Sequence, residues 1–217
     1  MEKQITGVIL LDELLDGGFE PNGITTIYGA PATGKTCLCV QCAIHTVKTG
    51  KKVIYVDSDN TFSFERLKQM TSDYEKMLQN ILILRPNRFE EQKRFFEKLR
   101  IQVNTKIGLI IIDSIANLYR LELAESYDQH TIIKEFGKQV QILSEISKNK
   151  NVPILVVSHV YVNAKDKRTH VIGEYWLRKN SKFIIELQNL AFGNRKAVLI
   201  YPKQKSISFK ITKEGIK

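Results

Sequence analysis

Five apolar runs, separated by amphipathic stretches, constrain this chain more than any other feature. ITTIYG (24–29), KVIYVD (52–57), ILIL (81–84), LIIID (109–113) and PILVVS (153–158) show little alternation of polar with apolar residues. A strand that is apolar on both sides must be covered on both sides, which is the pattern of a parallel sheet between layers of helices. The intervening stretches supply those helices. Lys35–Thr49 closes at Gly50, and Phe64–Met70 follows the second run. Phe89–Asn104 spaces Phe95, Phe96, Leu99 and Val103 at helical intervals, and His130–Lys148 does so with Phe136, Val140, Leu143 and Ile146. After Ser158 the rhythm changes. Ser181–Leu187, Lys196–Tyr201 and Ser206–Thr212 read as short strands joined by turns, without helices between them, extending the sheet antiparallel at its edge. The expectation is a single α/β domain over residues 1–217 with a mostly parallel central sheet.

Between the first run and its helix stands GAPATGKT, Gly29–Thr36, the pattern G-x-x-x-x-G-K-[ST] in a strand-to-helix setting. Gly29, Ala30, Pro31, Ala32, Thr33 and Gly34 let the backbone curl so that its N–H groups face phosphate, and the helix N-terminus adds a favourable dipole. Lys35 would bridge the β- and γ-phosphates and Thr36 would place its hydroxyl on Mg²⁺, with Cys37 the last of the expected nucleotide-binding residues. ATP and Mg²⁺ are the implied ligands. LIIIDS has the form of the second nucleotide motif, with Asp113 holding Mg²⁺ through water beside Thr36. YVDSDNTF ends the second run at Asp57 and places Asp59 just after it, an order that fits ATPases with a catalytic carboxylate on a strand next to the phosphate loop.

Hydrophobic content of 43% and charged content of 26% describe an ordinary globule. There is no run of membrane-span length, and MEKQITGVILLDELLDGG lacks a signal-peptide layout, so a cytoplasmic setting is expected. Cys37, Cys39 and Cys42 do not converge on one helical face and read as small helix residues rather than a metal or redox site. The net charge is +10, of which residues 163–217 carry +9 from thirteen Lys/Arg against four acids. A one-sided basic balance implies a polyanionic partner, nucleic acid before membrane, with a lysine-rich solvent surface as the plain alternative.

Four stretches, in order, resemble the RecA/RadA recombinase family, and within it the short archaeal RadB-type paralogues. They are GVILLDELLDGGFEPNGITTIYGAPATGKT, YVDSDNTFSFERL, LIIIDSIANLYRLE and FKITKEGI, and the likeness runs over nearly the whole chain. The resemblance implies a RecA-like P-loop NTPase fold and a DNA-binding protein of recombination and repair. It gives Asp59 the position of the catalytic Glu that activates water. It gives Arg66 the place of the arginine that stacks on adenine, with a solvated helix charge as the alternative. His159 stands where a Gln usually senses the γ-phosphate, and Pro202 falls near the nucleotide-capping proline. Leu121–Thr131 corresponds to the first DNA loop and Asn163–Gly173 to the second, where Lys165, Lys167, Arg168 and His170 would meet DNA phosphates. Tyr161, Tyr175 and Trp176 flank that loop, as base-stacking or as core aromatics. Arg195 and Lys196 are a further pair for DNA or for a neighbouring subunit's nucleotide.

Full-length recombinases of this family add an N-terminal DNA-binding domain and a Phe-x-x-Ala plug that docks into the next subunit. The core pattern here begins within a few residues of Met1, so neither is expected, and long filaments and robust strand exchange become unfavourable. The implied partners are single-stranded DNA, double-stranded DNA as a further form, the main RadA-type recombinase, and a weak homo-oligomer. The implied place is the nucleoid-associated cytoplasm, and the implied role is that of an accessory with weak ATPase activity. The alternative is a regulatory P-loop ATPase or kinase of the circadian-clock KaiC kind, acting on proteins. That kind usually has two adjacent Glu residues after the second strand, whereas Ser58 separates Asp57 from Asp59 here.

Overall fold

The computed structural model describes residues 2–162 and 169–217. Its elements run α1 (Ile9–Leu14), β1 (Ile24–Gly29), α2 (Lys35–Lys48), β2 (Lys52–Asp57), α3 (Phe64–Met70), α4 (Tyr74–Asn80), β3 (Ile81–Leu84), α5 (Phe89–Gln102) and β4 (Ile107–Asp113). They continue with α6 (Ala116–Glu125), α7 (Gln129–Lys150), β5 (Ile154–Ser158), β6 (Val160–Val162), β7 (Thr169–Val171), α8 (Glu174–Asn180) and β8 (Ser181–Asn189). The chain closes with β9 (Arg195–Tyr201), β10 (Lys205–Phe209), β11 (Ile211–Thr212) and β12 (Gly215–Ile216).

The main sheet has the strand order β10-β9-β8-β1-β5-β4-β2-β3. Strands β8 through β3 in that order are parallel, while β9 and β10 turn antiparallel at one edge. Alternating side chains feed two cores. Val53, Tyr55, Leu109, Ile111, Leu155 and Val157 join Leu38 and Val40 of α2. Ile54, Val56, Ile110, Ile112, Ile154 and Val156 join Phe96 of α5 and Phe136 and Val140 of α7 on the other face. Both faces are therefore dry, which is why these strands read as continuous apolar runs. No helix among the described residues is long and apolar enough to cross a membrane.

Three expectations are corrected. Ser181–Leu187 lies in β8, which pairs parallel with β1, because helix α8 intervenes and brings the chain back to the same end of the sheet. Ser206–Thr212 is divided at Lys210: β10 ends at Phe209, and β11 pairs with β12 in a small separate hairpin. The strand leading to Asp59 is not beside the phosphate-loop strand; β5 and β4 lie between β1 and β2.

At the carboxyl end of β2, Asp57 is fully buried and structural. Its Oδ1 accepts the N–H of Thr61 at 2.9 Å, its carboxylate accepts that of Phe62 at 3.3 Å, and Arg85 Nε pairs with it at 3.1 Å. This fixes the loop that carries Asp59, and Ser63 then starts α3 by accepting the Arg66 N–H at 3.1 Å. Replacing Asp57 by Ala orphans two backbone N–H groups and is expected to cost about 2–3 kcal/mol in urea unfolding, with Asp57→Asn losing about half of that. Equal stability of the three proteins contradicts this role.

Candidate nucleotide site

The phosphate loop is shaped by backbone that few side chains tolerate. Ala32 sits at φ 62° and Gly34 at φ 103°, so successive N–H groups turn toward one concavity ahead of α2. A Cβ on Gly29 would lie 2.2 Å from the Leu187 carbonyl oxygen, and one on Gly34 2.6 Å from Ile211 Cδ1. Glycine is required at Gly29 by the fixed backbone oxygen, and at Gly34 by the left-handed conformation, since the Ile211 methyl can move aside. The hydroxyl of Thr33, itself buried, donates to the Ala30 carbonyl at 2.9 Å. From outside the loop, Asn189 Nδ2 donates to the Pro31 carbonyl at 3.3 Å and Arg195 Nε to the Ala32 carbonyl at 3.2 Å.

Lys35, Thr36, Asp59, Thr61, Asp113 and His159 line one cleft with this loop. Lys35 Nζ donates to the carbonyls of Gly29 and Ala30 at 2.8 and 2.9 Å. Burial pushes its ammonium below the ordinary lysine range, against the pull of Asp113 and Asp59. Asp113 is almost fully buried and receives the Tyr55 hydroxyl on Oδ2 at 2.8 Å. Burial raises its pKa, hydrogen bonds from Tyr55 and Thr36 lower it, and the charges of Asp59 and Asp57 raise it again. Asp59 Oδ2 pairs with His159 Nε2 at 2.6 Å, and its Oδ1 accepts the Ser114 hydroxyl at 3.2 Å.

The donor set suits a polyphosphate with a divalent cation. An ammonium and helix N-terminal amides face the anion, and a hydroxyl beside a buried carboxylate answers the cation. The sequence family described as Rad51 matches residues 3–175.

The chain belongs to the Rad51 family.

It resembles the DNA repair and recombination protein RadB of Thermococcus gammatolerans, at 39% identity over 97% of this chain and 96% of that protein. The protein of the same description from Pyrococcus abyssi is 38% identical over 97% and 92%. The crystal structure of the RadB recombinase superposes with a TM-score of 0.81 and 34% identity, covering 97% of both chains. The fold is thus the RecA-like one of this family.

Within that Rad51-family frame the expected residues separate into three groups. Residues 29–37, Asp59, Asp113 and His159 gather at or beside the cleft. Arg66 stands at its border with both terminal nitrogens of its guanidinium engaged: it donates to the carbonyls of Thr212 and Lys213 at 2.6 and 3.1 Å, to Gln69 at 2.9 Å and toward Cys37 Sγ at 3.2 Å. Pro202 follows a cis peptide at the exposed end of β9. Among the nucleic-acid candidates, Lys165, Lys167 and Arg168 lie outside the described residues. His170, on β7, holds its ring 5.7 Å from that of Tyr161 on β6. Arg195 rests on the phosphate loop, with Lys196 half-buried beside it. Tyr161 and Tyr175 are exposed, whereas Trp176 packs on Gly137 and the α7 core. The segment Leu121–Thr131 is not an open loop: α6 runs through Glu125 and α7 begins at Gln129, capped by Asp128, so that only three residues connect them.

Tyr55, Ser114 and Asn189 were not legible as site residues. Only Ser114 carried a local signal, its place directly after the acid of the LIIID run.

A raised pKa has a defined cost. Below the ordinary carboxylate range Asp113 is neutral in both states; as pH rises through its folded value, ionisation in the buried site destabilises the fold. Asp113→Asn keeps an acceptor for Tyr55 and removes that cost. It is expected to raise Tm by about 2 °C or more at pH 8, with a smaller gain at pH 5, while abolishing the Mg²⁺ effect on nucleotide binding. A lower Tm at pH 8 contradicts this account.

Proposed function

We propose that this chain binds ATP with Mg²⁺ in the cleft above β1, β2, β4 and β5, hydrolyses it slowly, and binds single-stranded DNA as an accessory of a main RadA-type recombinase in recombination and repair. The observation that carries the reading is the meeting of Lys35, Thr36, Asp113, Asp59 and His159 in one cleft with the phosphate loop. Relatives that match over nearly their whole length are described as DNA repair and recombination proteins, which supports the biological setting.

The division of labour follows from the side chains. Lys35 exchanges its loop carbonyls for phosphate oxygens, and Thr36 with Asp113 holds the cation. Mg²⁺, when bound, neutralises charge on the β- and γ-phosphates. Asp59 accepts the proton of the attacking water, and His159 holds the other edge of that carboxylate. Turnover is slow for a reason of reach. An Asp is one methylene shorter than the family's Glu, about 1.5 Å, and general-base work needs roughly 2.6–3.2 Å between heavy atoms. Both oxygens of Asp59 are also already engaged, by Ser114 and His159.

The DNA assignment rests on charge and aromatics. Residues 163–217 carry +9, and Tyr161 on β6 and Tyr175 on α8 are exposed. Aromatic faces on a basic surface suit unstacked bases. Double-stranded DNA is a weaker ligand of the same surface, self-association is weak, and the protein works in the cytoplasm at the nucleoid.

Asp59→Glu is expected to raise ATP turnover by about tenfold or more, since a displacement near 1 Å can cost on the order of a hundredfold. An equal or lower rate in a phosphate-release assay removes the reach argument. For DNA, affinity for an oligothymidylate should fall steeply with salt. Changing Lys165, Lys167 and Arg168 together to Ala should reduce the slope of log K against log salt by about 2. An unaltered slope removes these three residues from the interface.

A further inference from the structure

Strands β2 and β4 are neighbours, with Asp57 opposite Asp113, and past that point their chains part. The first enters the loop carrying Asp59, and the second turns into α6. Something must hold the two acids of the cleft in relation to each other after the ladder ends. Ser58, which is 4% exposed, spends every polar group on the far segment. Its N–H donates to the Asp113 carbonyl at 3.1 Å, and its carbonyl accepts Asn117 Nδ2 at 3.3 Å. Its hydroxyl donates to the Ser114 carbonyl and accepts the Ser114 N–H at 3.1 Å. Ser114, fully buried, returns the connection through its own hydroxyl to Asp59 Oδ1 at 3.2 Å. The two bonds between the Ser58 hydroxyl and Ser114 are buried, so losing that hydroxyl would leave unsatisfied buried groups on Ser114.

We propose that Ser58 is the positioning residue that sets Asp59 and Asp113 relative to one another, with Asn117 carrying the same tie into the first turn of α6. The inference rests on the ATPase reading above. It also gives a physical reason for the residue between Asp57 and Asp59. A hydroxyl on one carbon is short enough to meet both polar groups of a single facing peptide segment, and Ala offers neither donor nor acceptor. Ser58 acts through the two acids and has no contact with the phosphate loop among its hydrogen bonds.

The test compares the native chain with Ser58→Ala, Ser58→Thr and Asn117→Ala at saturating Mg²⁺. Ser58→Ala should lower kcat by about tenfold to a hundredfold with KM for ATP unchanged within about twofold, because the acids shift while the phosphate loop does not. Amide exchange at Ser114, whose N–H loses its acceptor, should quicken in step, and Ser58→Thr should restore both. Equal kcat in Ser58→Ala, or a parallel loss of kcat and nucleotide affinity that Ser58→Thr does not reverse, overturns the positioning role. If Ser58→Ala does not fold, Asn117→Ala decides: a fall in kcat of about threefold or more at unchanged KM supports the tie, and an unchanged kcat overturns it. A native chain without turnover overturns the ATPase reading. In that case Mg²⁺ affinity, read with a non-hydrolysable ATP analogue, decides the inference. A loss of about tenfold in Ser58→Ala or Asn117→Ala upholds it, and equal affinity overturns it.

Discussion

The carboxylate of Asp59, shared between His159 on one oxygen and Ser114 on the other, joins the ends of three strands. Asp59 follows β2, Ser114 follows β4 and His159 follows β5, and the phosphate loop after β1 completes the ring. Parallel strands deliver all of these to one edge of the sheet, which is the general reason that ligands sit beyond the carboxyl ends in open α/β folds. Ser58 ties the ends of β2 and β4 as well, but the shared carboxylate is what brings His159 after β5 into the same hydrogen-bonded set. With it, a change at β5 reaches the acid on β2 through one hydrogen bond. An acid held on both oxygens by the protein must give up part of that hold before it can accept a proton from any other group.

The carboxyl-end acids show how one sheet edge assigns different tasks to like residues. Asp57 is buried and consumed by the backbone of its own loop and by Arg85. Asp113 is buried but directed at a hydroxyl and a phenol, and its raised pKa records the strain of holding charge there. Asp59 alone keeps partial exposure. Burial and partners, rather than residue type, separate the enclosed Asp57, the buried Asp113 and the partly exposed Asp59.

Much of this was legible in the sequence. The central strands are apolar on both sides, and that property survives without knowledge of the fold, so β1 to β5 fall within two residues of the expected runs. The phosphate loop was legible because glycine spacing encodes backbone shape directly. Strand direction was not: β8 has the composition of an edge strand, and only the short helix α8 before it makes it parallel. The helix α6 was hidden because it starts directly after the acid of β4, with no capping side chain to announce it. Contacts across the fold leave no local mark at all. Arg66 on the carbonyls of the β11–β12 hairpin, Arg195 on the phosphate loop and Ser58 on Ser114 join residues far apart in sequence.

The central claim is that the loop from Gly29 to Thr36 holds a nucleoside triphosphate whose cation is answered by Thr36 and Asp113. Calorimetric titration of ATP into the native chain and into Lys35→Ala, each with Mg²⁺ and with EDTA, tests it most directly. The account predicts saturable one-to-one binding that is tighter with Mg²⁺ and lost in Lys35→Ala. Equal affinity in the two proteins, or indifference to Mg²⁺, would contradict it.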